Sequence, residues 1–125
     1  MKKSNKIISI ILATIVCLSV LAIPVSAATP RWANANSINV NIDPAGDLYK
    51  VMVEGVTGTT KIEISATIKE KNILGIYVEK NTASGTYYSR SATLTGYYDM
   101  STSKDYKVSA TIYVTTNGVR EKIEI

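Results

Sequence analysis

Residues 106–125, the last twenty of this 125-residue chain, constrain its fold more than any other segment. Apolar and polar side chains alternate along the first nine of them, which is the period-2 pattern of a strand with one buried face. Asn117-Gly118 follows, and this pair favours a two-residue type I′ turn because both of its residues need a positive φ. The returning strand then places Ile123 opposite Ile112, so the alternation and the turn predict the same register. Because a hairpin with one apolar face needs more strands to cover it, we expect a β protein.

Five further strands are predicted upstream, from shorter alternating runs bounded by turn residues. The run at 62–68 is the longest and clearest of them. A fourth strand is predicted at 76–78 and is expected to end at 81–85, after which a more polar fifth strand at 88–94 forms a sheet edge. All seven glycines are placed at breaks between strands. Seven short strands at this spacing are typical of a sandwich or a barrel.

Composition supports the same fold class. After Ala28 the chain has ten Ile, eight Val and thirteen Thr, but only three Leu. β-branched side chains favour strands and disfavour helices. We therefore expect almost no helix after residue 28, and a single all-β domain over residues 29–125.

The first 28 residues have the pattern of a helical signal peptide. Three lysines precede an apolar run at 7–23, Pro24 ends that run, and Val25-Ser26-Ala27-Ala28 provides small residues for cleavage after Ala27 or Ala28. An uncleaved anchor is the alternative, because the run is slightly long for a signal peptide. The sequence predicts an exported protein, secreted or associated with the cell wall.

Cleavage would change what charge and cysteine content imply. Without the three N-terminal lysines the basic count falls from 14 to 11, against 10 acidic residues. No excess of positive charge then favours nucleic acid or an anionic membrane as a partner. The single cysteine, Cys17, lies within the signal peptide, so the exported chain would be held together by packing without disulfides.

One residue suggests the kind of sandwich. In immunoglobulin-like domains a tyrosine begins the penultimate strand, and its hydroxyl bonds back to the preceding corner. Tyr106 has that place, two residues before the inward-facing Val108. The cysteine pair and the central tryptophan of antibody domains are absent. The strand count and Tyr106 predict an Ig-like sandwich of about seven antiparallel strands.

The chain also resembles a group of short exported β-rich proteins of Gram-positive bacteria that have no assigned function. The resemblance rests on the segment 53–62, Val-Glu-Gly-Val-Thr-Gly-Thr-Thr-Lys-Ile, and on the ending that runs from Tyr106-Lys107-Val108 to Glu121. It covers most of the exported part, although Tyr77 stands where such chains have a tryptophan. The resemblance implies secretion and a β-rich fold, and it implies no activity.

Catalysis is not expected. The chain has no histidine, and its only cysteine precedes residue 28, so an imidazole base and a thiolate nucleophile are both excluded from the exported part. Ser101 and Lys104 have the spacing of a Ser-Lys pair but are predicted to lie in a loop. Glu63 is predicted on an outward strand face. Glu121 falls on the apolar side of the last hairpin, where we expect a solvated position at the rim.

No cofactor is predicted, and calcium is the one metal to consider. Asp43 with Asp47, or Asp99 with Asp105, would offer oxygen ligands from loops. Neither pair has the spacing of an EF-hand loop, and aspartate also favours turns through its own backbone hydrogen bonds. We interpret these residues as turn residues.

Aromatic side chains give the remaining indication of function. Neighbours on a strand face opposite ways, so at least one tyrosine of Tyr87-Tyr88 and one of Tyr97-Tyr98 should face solvent. Exposed aromatic rings stack on sugars and give rigid contact area to proteins. The candidate ligand-binding residues are therefore Tyr97, Tyr98, Tyr87 and Trp32, and the predicted functional surface is the loop 97–105. The alternative is that these rings cover the ends of the sandwich.

These patterns predict an exported, non-catalytic β-sandwich that acts as a binding or structural module. Its predicted partner is a glycan or the cell wall. The alternative is a protein-interaction module such as an inhibitor, an effector or an assembling subunit. The sequence indicates no nucleic-acid partner, no membrane partner after cleavage and no particular oligomeric state.

Overall fold

Seven strands form the fold in a computed structural model that describes residues 32–125. No helix occurs within this range, and therefore none in it is long and apolar enough to cross a membrane. The predicted signal peptide, residues 1–28, lies outside the described residues. The strands are β1 (Ala35–Asp43), β2 (Leu48–Gly55), β3 (Thr59–Lys71), β4 (Tyr77–Tyr87), β5 (Ser91–Tyr97), β6 (Tyr106–Thr116) and β7 (Val119–Glu124).

The strands form two antiparallel sheets. One has three strands in the order β1-β2-β5, and the other has four in the order β4-β3-β6-β7. The predicted all-β class and the seven strands are confirmed, and β5 lies at a sheet edge as predicted. Three connections cross from one sheet to the other: β2 to β3, β4 to β5, and β5 to β6.

Alternation in the sequence places the core between the two sheets. Tyr49, Val51 and Val53 of β2 face inward from the smaller sheet and are almost completely buried. Ile62, Ile64, Ala66 and Ile68 face them from β3, with Ile112 and Val114 of β6 beside them. Each fully buried aliphatic side chain contributes about 1.5–3 kcal/mol, so the three central strands, β2, β3 and β6, carry most of the hydrophobic stabilisation.

The last hairpin has the predicted geometry. Ile112 pairs with Ile123, and Ala110 and Ile125 exchange both backbone hydrogen bonds at 3.0 Å. Asn117 and Gly118 have φ values of 50° and 79°, as a type I′ turn requires. The register predicted from the turn and the alternation is confirmed.

Replacing Gly118 with valine should lower the free energy of unfolding by about 1–3 kcal/mol, because a β-branched residue is strained at positive φ. A Cβ at this position would meet no atom within 4 Å, so the loss would come from the backbone and not from a clash. Urea unfolding of the wild type and the variant measures it. An unchanged midpoint would contradict the turn.

The fourth strand was predicted too short. β4 extends from Tyr77 to Tyr87 and includes the segment 81–85, which pairs with β3 residue by residue. Residues 88–90 make the turn, so Tyr88 lies outside β5, which begins at Ser91. The small polar residues of β4 look like a loop in sequence. They are tolerated in a strand here because β4 is an edge strand that covers the core only in part.

Two glycines lie inside strands, so the placement of every glycine at a break was wrong. Gly85 lies within β4 and Gly96 within β5. Gly96 is required by a close approach, because a Cβ there would overlap the phenol ring of Tyr49. That ring is fully buried, and its hydroxyl donates a hydrogen bond to Asn81 Oδ1 at 2.8 Å. Burial raises the pKa of Tyr49, which keeps the donating proton in place.

Glu121 is half-buried, and the prediction of a solvated rim position missed that it holds the segment before β1. Its two carboxylate oxygens accept hydrogen bonds from the backbone N–H groups of Ala33, at 3.0 Å, and Asn34, at 2.9 Å. The buried side chain of Asn34 donates in turn to the carbonyls of Val114, at 2.9 Å, and Val119, at 2.8 Å. This polar contact joins the start of the smaller sheet to the hairpin of the larger one.

Candidate functional site

The predicted pair Tyr97-Tyr98 lies where β5 ends and the next loop begins, and its two rings have different environments. Tyr97 is 70% exposed. Tyr98 packs against the core and meets Tyr106 edge to face, with ring centroids 6.4 Å apart. Its hydroxyl donates a hydrogen bond to Glu70 Oε2 at 3.4 Å, and burial is the main cause of its raised pKa. Ligand contact by this pair stays a prediction, and the structure leaves mainly Tyr97 accessible for it.

Hydrogen bonds hold the backbone of this loop. The Tyr106 hydroxyl accepts from Ser101 N at 2.7 Å, which confirms the predicted corner bond. Asp47 Oδ1 accepts from Met100 N at 2.8 Å. Lys104 pairs with Glu70 at 3.0 Å, which lowers the pKa of Glu70 and raises that of Lys104. This ion pair joins the loop at 98–105 to β3.

Of the aspartates considered as calcium ligands, Asp43 and Asp47 accept hydrogen bonds from backbone N–H groups. Asp43 Oδ1 accepts from Gly46 N at 3.1 Å, and Asp47 supports the loop as described above. Within residues 32–125 no group of three His, Cys, Asp or Glu side chains is arranged to hold a metal ion. These contacts agree with their interpretation as turn residues.

The four predicted ligand-binding residues do not lie together. Tyr87 pairs with Ile62 near the start of β3, whereas Tyr98 contacts Glu70 near the end of that strand. These positions are eight residues apart along β3, a distance of roughly 26 Å. Trp32 packs against the core beside the start of β1, at the same end as Tyr87. Tyr88 is 80% exposed, so each adjacent pair has one exposed tyrosine, as predicted.

Sequence reasoning missed the outer face of the four-stranded sheet. Two neighbouring rows of side chains that run across β4, β3 and β6 on this face consist of serine and threonine only. From β4 to β6, the rows are Ser84-Ser65-Thr111 and Thr82-Thr67-Ser109. We call these six residues the hydroxyl floor. Because large side chains flank it on both sides along the strands, the floor is the bottom of a shallow trough.

One wall of the trough is built on Tyr113. The guanidinium of Arg120 lies 3.7 Å from the centre of the Tyr113 ring, which is a cation–π contact. Arg120 also bonds the Glu63 carboxylate, with Nη2 3.1 Å and Nε 3.2 Å from Oε2. Glu63, Tyr113 and Arg120 line an open depression of about 270 Å³ together with Ser65, Ser84 and Thr111. The opposite wall contains Lys107, whose ammonium lies 4.4 Å from the ring centre of Tyr77.

The hydroxyl floor offers many hydrogen-bonding groups and no charge, and the charged groups of the trough lie in its walls. Each hydroxyl can both donate and accept a hydrogen bond. Within the floor only Thr67 and Thr82 bond each other, at 2.9 Å. Glu63 is engaged by Arg120 and lies 3.7 Å from Lys61, so it faces cations and not a second carboxylate. The arrangement can bind an uncharged polar chain along its hydroxyl groups, with the rings at its margins.

Comparison with protein families, with curated proteins and with solved structures found no match for this chain. The fold and the trough define an all-β two-sheet domain with a hydroxyl-lined sheet face.

Proposed function

We propose that this protein is a non-catalytic glycan-binding module and that the hydroxyl floor with its Tyr113 wall is the binding surface. The observation that carries the proposal is the block of six small hydroxyl side chains on one rigid sheet face. Sugars present hydroxyl groups that donate and accept hydrogen bonds, and their apolar faces stack on aromatic rings. The floor and its walls supply both kinds of contact.

The dimensions of the trough favour an elongated ligand. Along the strands, the row that contains Glu63 and the row that contains Lys69 lie six residues apart on β3, which is roughly 20 Å. Across the strands, β4, β3 and β6 together span about 10 Å. The surface is shallow, open at the β4 edge, and built on strands that hold their side chains in register. A polysaccharide segment of several sugar units fits such a surface better than a small enclosed ligand does.

Filling the trough should abolish glycan binding without unfolding the domain. We expect Ser84→Ile to remove most binding to purified peptidoglycan or to soluble polysaccharides, because the branched side chain would occupy the floor. Tyr113→Ala should weaken binding by about tenfold, in line with the loss of one stacking contact of about 1–1.5 kcal/mol. Sedimentation with insoluble peptidoglycan and calorimetry with soluble polysaccharides measure these changes.

The matched control is Thr93→Ile. Thr93 is also an exposed hydroxyl residue on an edge strand, but it lies on β5 in the other sheet. This variant should bind as the wild type does. Equal loss in the Ser84 and Thr93 variants, or retention in both, would overturn the assignment of the site.

Protein interaction is the second candidate function, and β4 favours it. This strand of eleven residues lies at a sheet edge and contains no proline. An exposed edge can pair with an extended segment of another protein. Replacing Thr82 with proline should abolish such pairing. Gel filtration of the variant with a protein that the wild type captures would show the loss of the complex.

We further propose that the domain is an Ig-like sandwich of an exported protein. The strand orders β1-β2-β5 and β4-β3-β6-β7, together with the Tyr106 corner bond, support the Ig-like topology.

The pattern of residues 1–28 supports export. Intact-mass measurement of protein from the culture medium should give an N-terminus at Ala28 or Thr29. A membrane-bound species that retains residues 1–23 would contradict cleavage.

A further inference from the structure

The loop between β3 and β4 presents an apolar tip to solvent. Ile73 is fully exposed, Leu74 is 78% exposed and Ile76 is 57% exposed. We call these three residues the apolar tip. A contiguous exposed apolar group of this kind on a soluble domain marks a contact site, since scattered single residues are the ordinary case.

The tip is held in one conformation by Asn72. Its Oδ1 accepts hydrogen bonds from Leu74 N at 2.9 Å and Ile76 N at 3.0 Å. Its backbone N–H donates to Ile76 O at 2.8 Å, and its carbonyl accepts from Gly75 N at 3.0 Å. Four of the five N–H groups between residues 72 and 76 therefore have partners within the loop itself. A loop that satisfies its own donors can enter an apolar medium at a much lower cost than an open one.

Residues directly behind the tip have the character of a membrane–water interface. Tyr77 follows Ile76 and carries the Lys107 ammonium over its ring. Lys71 precedes Asn72, and its backbone N–H donates to Asp105 O at 2.9 Å, which ties the hairpin to the neighbouring loop. Lys104 lies in that loop beside the acids Glu70 and Asp105. Tyrosine and lysine at this level suit the headgroup region, where the ring stays half-buried and the ammonium stays in water.

We propose that the apolar tip inserts into the surface of a lipid bilayer. The tip offers three side chains, a patch of a few hundred Å², whereas a stable protein interface needs roughly 800 Å² from each partner. A bilayer needs no complementary pocket. The tip alone gives weak, reversible binding, as other short apolar anchors do. The inference goes beyond glycan binding, and the three residues that insert take no part in the trough, although Tyr77 and Lys107 lie beside both surfaces.

Overall composition gave no reason to expect a membrane partner, because it averages charge over all residues after the predicted signal peptide. Locally, Lys71 and Lys107 are not engaged in ion pairs with carboxylates in the part of the chain described, while Lys104 is paired with Glu70. A lysine near an anionic lipid surface adds about 1 kcal/mol of attraction, which salt screens. Binding should therefore be several times tighter to vesicles with phosphatidylglycerol than to phosphatidylcholine alone, and the difference should vanish in high salt.

The test places a tryptophan at the tip. Leu74→Trp in the purified chain is mixed with vesicles of phosphatidylcholine and phosphatidylglycerol, with and without bromine on the acyl chains. We expect the added emission, relative to wild type, to shift to shorter wavelength and to be quenched by the brominated lipid. Tyr88→Trp is the matched control, because Tyr88 is as exposed but lies near the opposite end of β3, and it should be neither shifted nor quenched. Both variants share residues 1–31, so any contribution of that segment is common to them.

A double serine variant tests the affinity for vesicles. Ile73→Ser with Leu74→Ser should lower the vesicle partition coefficient by about 100-fold, because two side chains lose their transfer from water. Both positions are exposed, so the variant should keep the thermal midpoint of the wild type. Equal quenching of the Leu74 and Tyr88 probes, or unchanged partition of the serine variant, would overturn the proposal. An unquenched Leu74 probe would also overturn it and would leave a protein as the occupant. Concentration-dependent dimers lost on Leu74→Ser would identify a second copy instead.

Discussion

Replacing Gly96 with alanine is expected to lower the free energy of unfolding by about 3 kcal/mol, at the upper end of the usual cost of overpacking. The added methyl group would occupy the place of the Tyr49 ring. That ring is fully buried and fixed by its hydrogen bond to Asn81, so it has little room to move. Chemical denaturation followed by circular dichroism measures the loss.

Two further variants show whether the clash is the cause. Gly85→Ala is the control, since Gly85 also lies inside a strand but its added methyl would meet mainly the hydroxyl end of the half-buried Tyr87, which can rotate away. We expect it to cost less than about 1 kcal/mol. Tyr49→Leu should reduce the effect of Gly96→Ala by about 1–2 kcal/mol in a double-mutant cycle, because the smaller side chain leaves space. Additive losses would contradict a contact between these residues.

Gly96 also shows where sequence reasoning about the fold reached its limit. Glycine is common in turns, so its presence predicted a break. In β5 it serves a close approach between neighbouring strands, and that depends on Tyr49, far away in sequence. The same reasoning failed for Gly85 and the rest of β4, whose small polar residues lack an apolar alternation. β4 is a strand because β3 offers it hydrogen bonds, which is a tertiary cause that no local pattern carries.

The last hairpin could be predicted in full because its determinants are local. Its alternation, its two-residue turn and its register all lie within twenty residues and agree with one another. The long alternation of β3 was equally informative, because each inward position is aliphatic. Where the local pattern and the tertiary environment agreed, the prediction was correct to within a few residues.

The candidate site was not predicted, although every part of it was visible. Its hydroxyl residues occur as alternating pairs at 65 and 67, 82 and 84, and 109 and 111, which reads as the ordinary polar side of three strands. Only the register of β4, β3 and β6 brings the pairs into two adjacent rows. Adjacent aromatic residues in the sequence favoured Tyr87-Tyr88 and Tyr97-Tyr98 over Tyr113, whose partner Arg120 comes from the next strand. Glu121 was noticed as unusual, but its partners lie 87 and 88 residues away.

Replacing Asn34 with alanine is expected to lower the free energy of unfolding by about 2–4 kcal/mol. The side-chain amide donates to two backbone carbonyls, Val114 O and Val119 O, and the residue is buried. Removing the amide leaves these carbonyls without a hydrogen-bond donor and away from water. The loss of stability is about 1–3 kcal/mol for each carbonyl that is fully buried. Asn39→Ala on the exposed side of β1 is the control and should change stability by less than about 0.5 kcal/mol.

An aspartate at the same position separates hydrogen bonding from packing. Asn34→Asp preserves size but replaces the donating amide by a carboxylate that faces two carbonyl oxygens and lies near Glu121. Folding then disfavours the charged form, so the pKa of the introduced carboxyl rises above its unfolded value of about 3.9. The charge penalty is absent below that unfolded value and grows as the pH rises to the folded pKa, above which it is constant. The stability difference from wild type should therefore be smaller at about pH 3 than at pH 7, because the introduced carboxyl is mostly uncharged at the lower pH and carboxyls remote from it cancel in the comparison. A difference that does not vary with pH would mean that the amide fills space and that its two hydrogen bonds do not hold the sheets together.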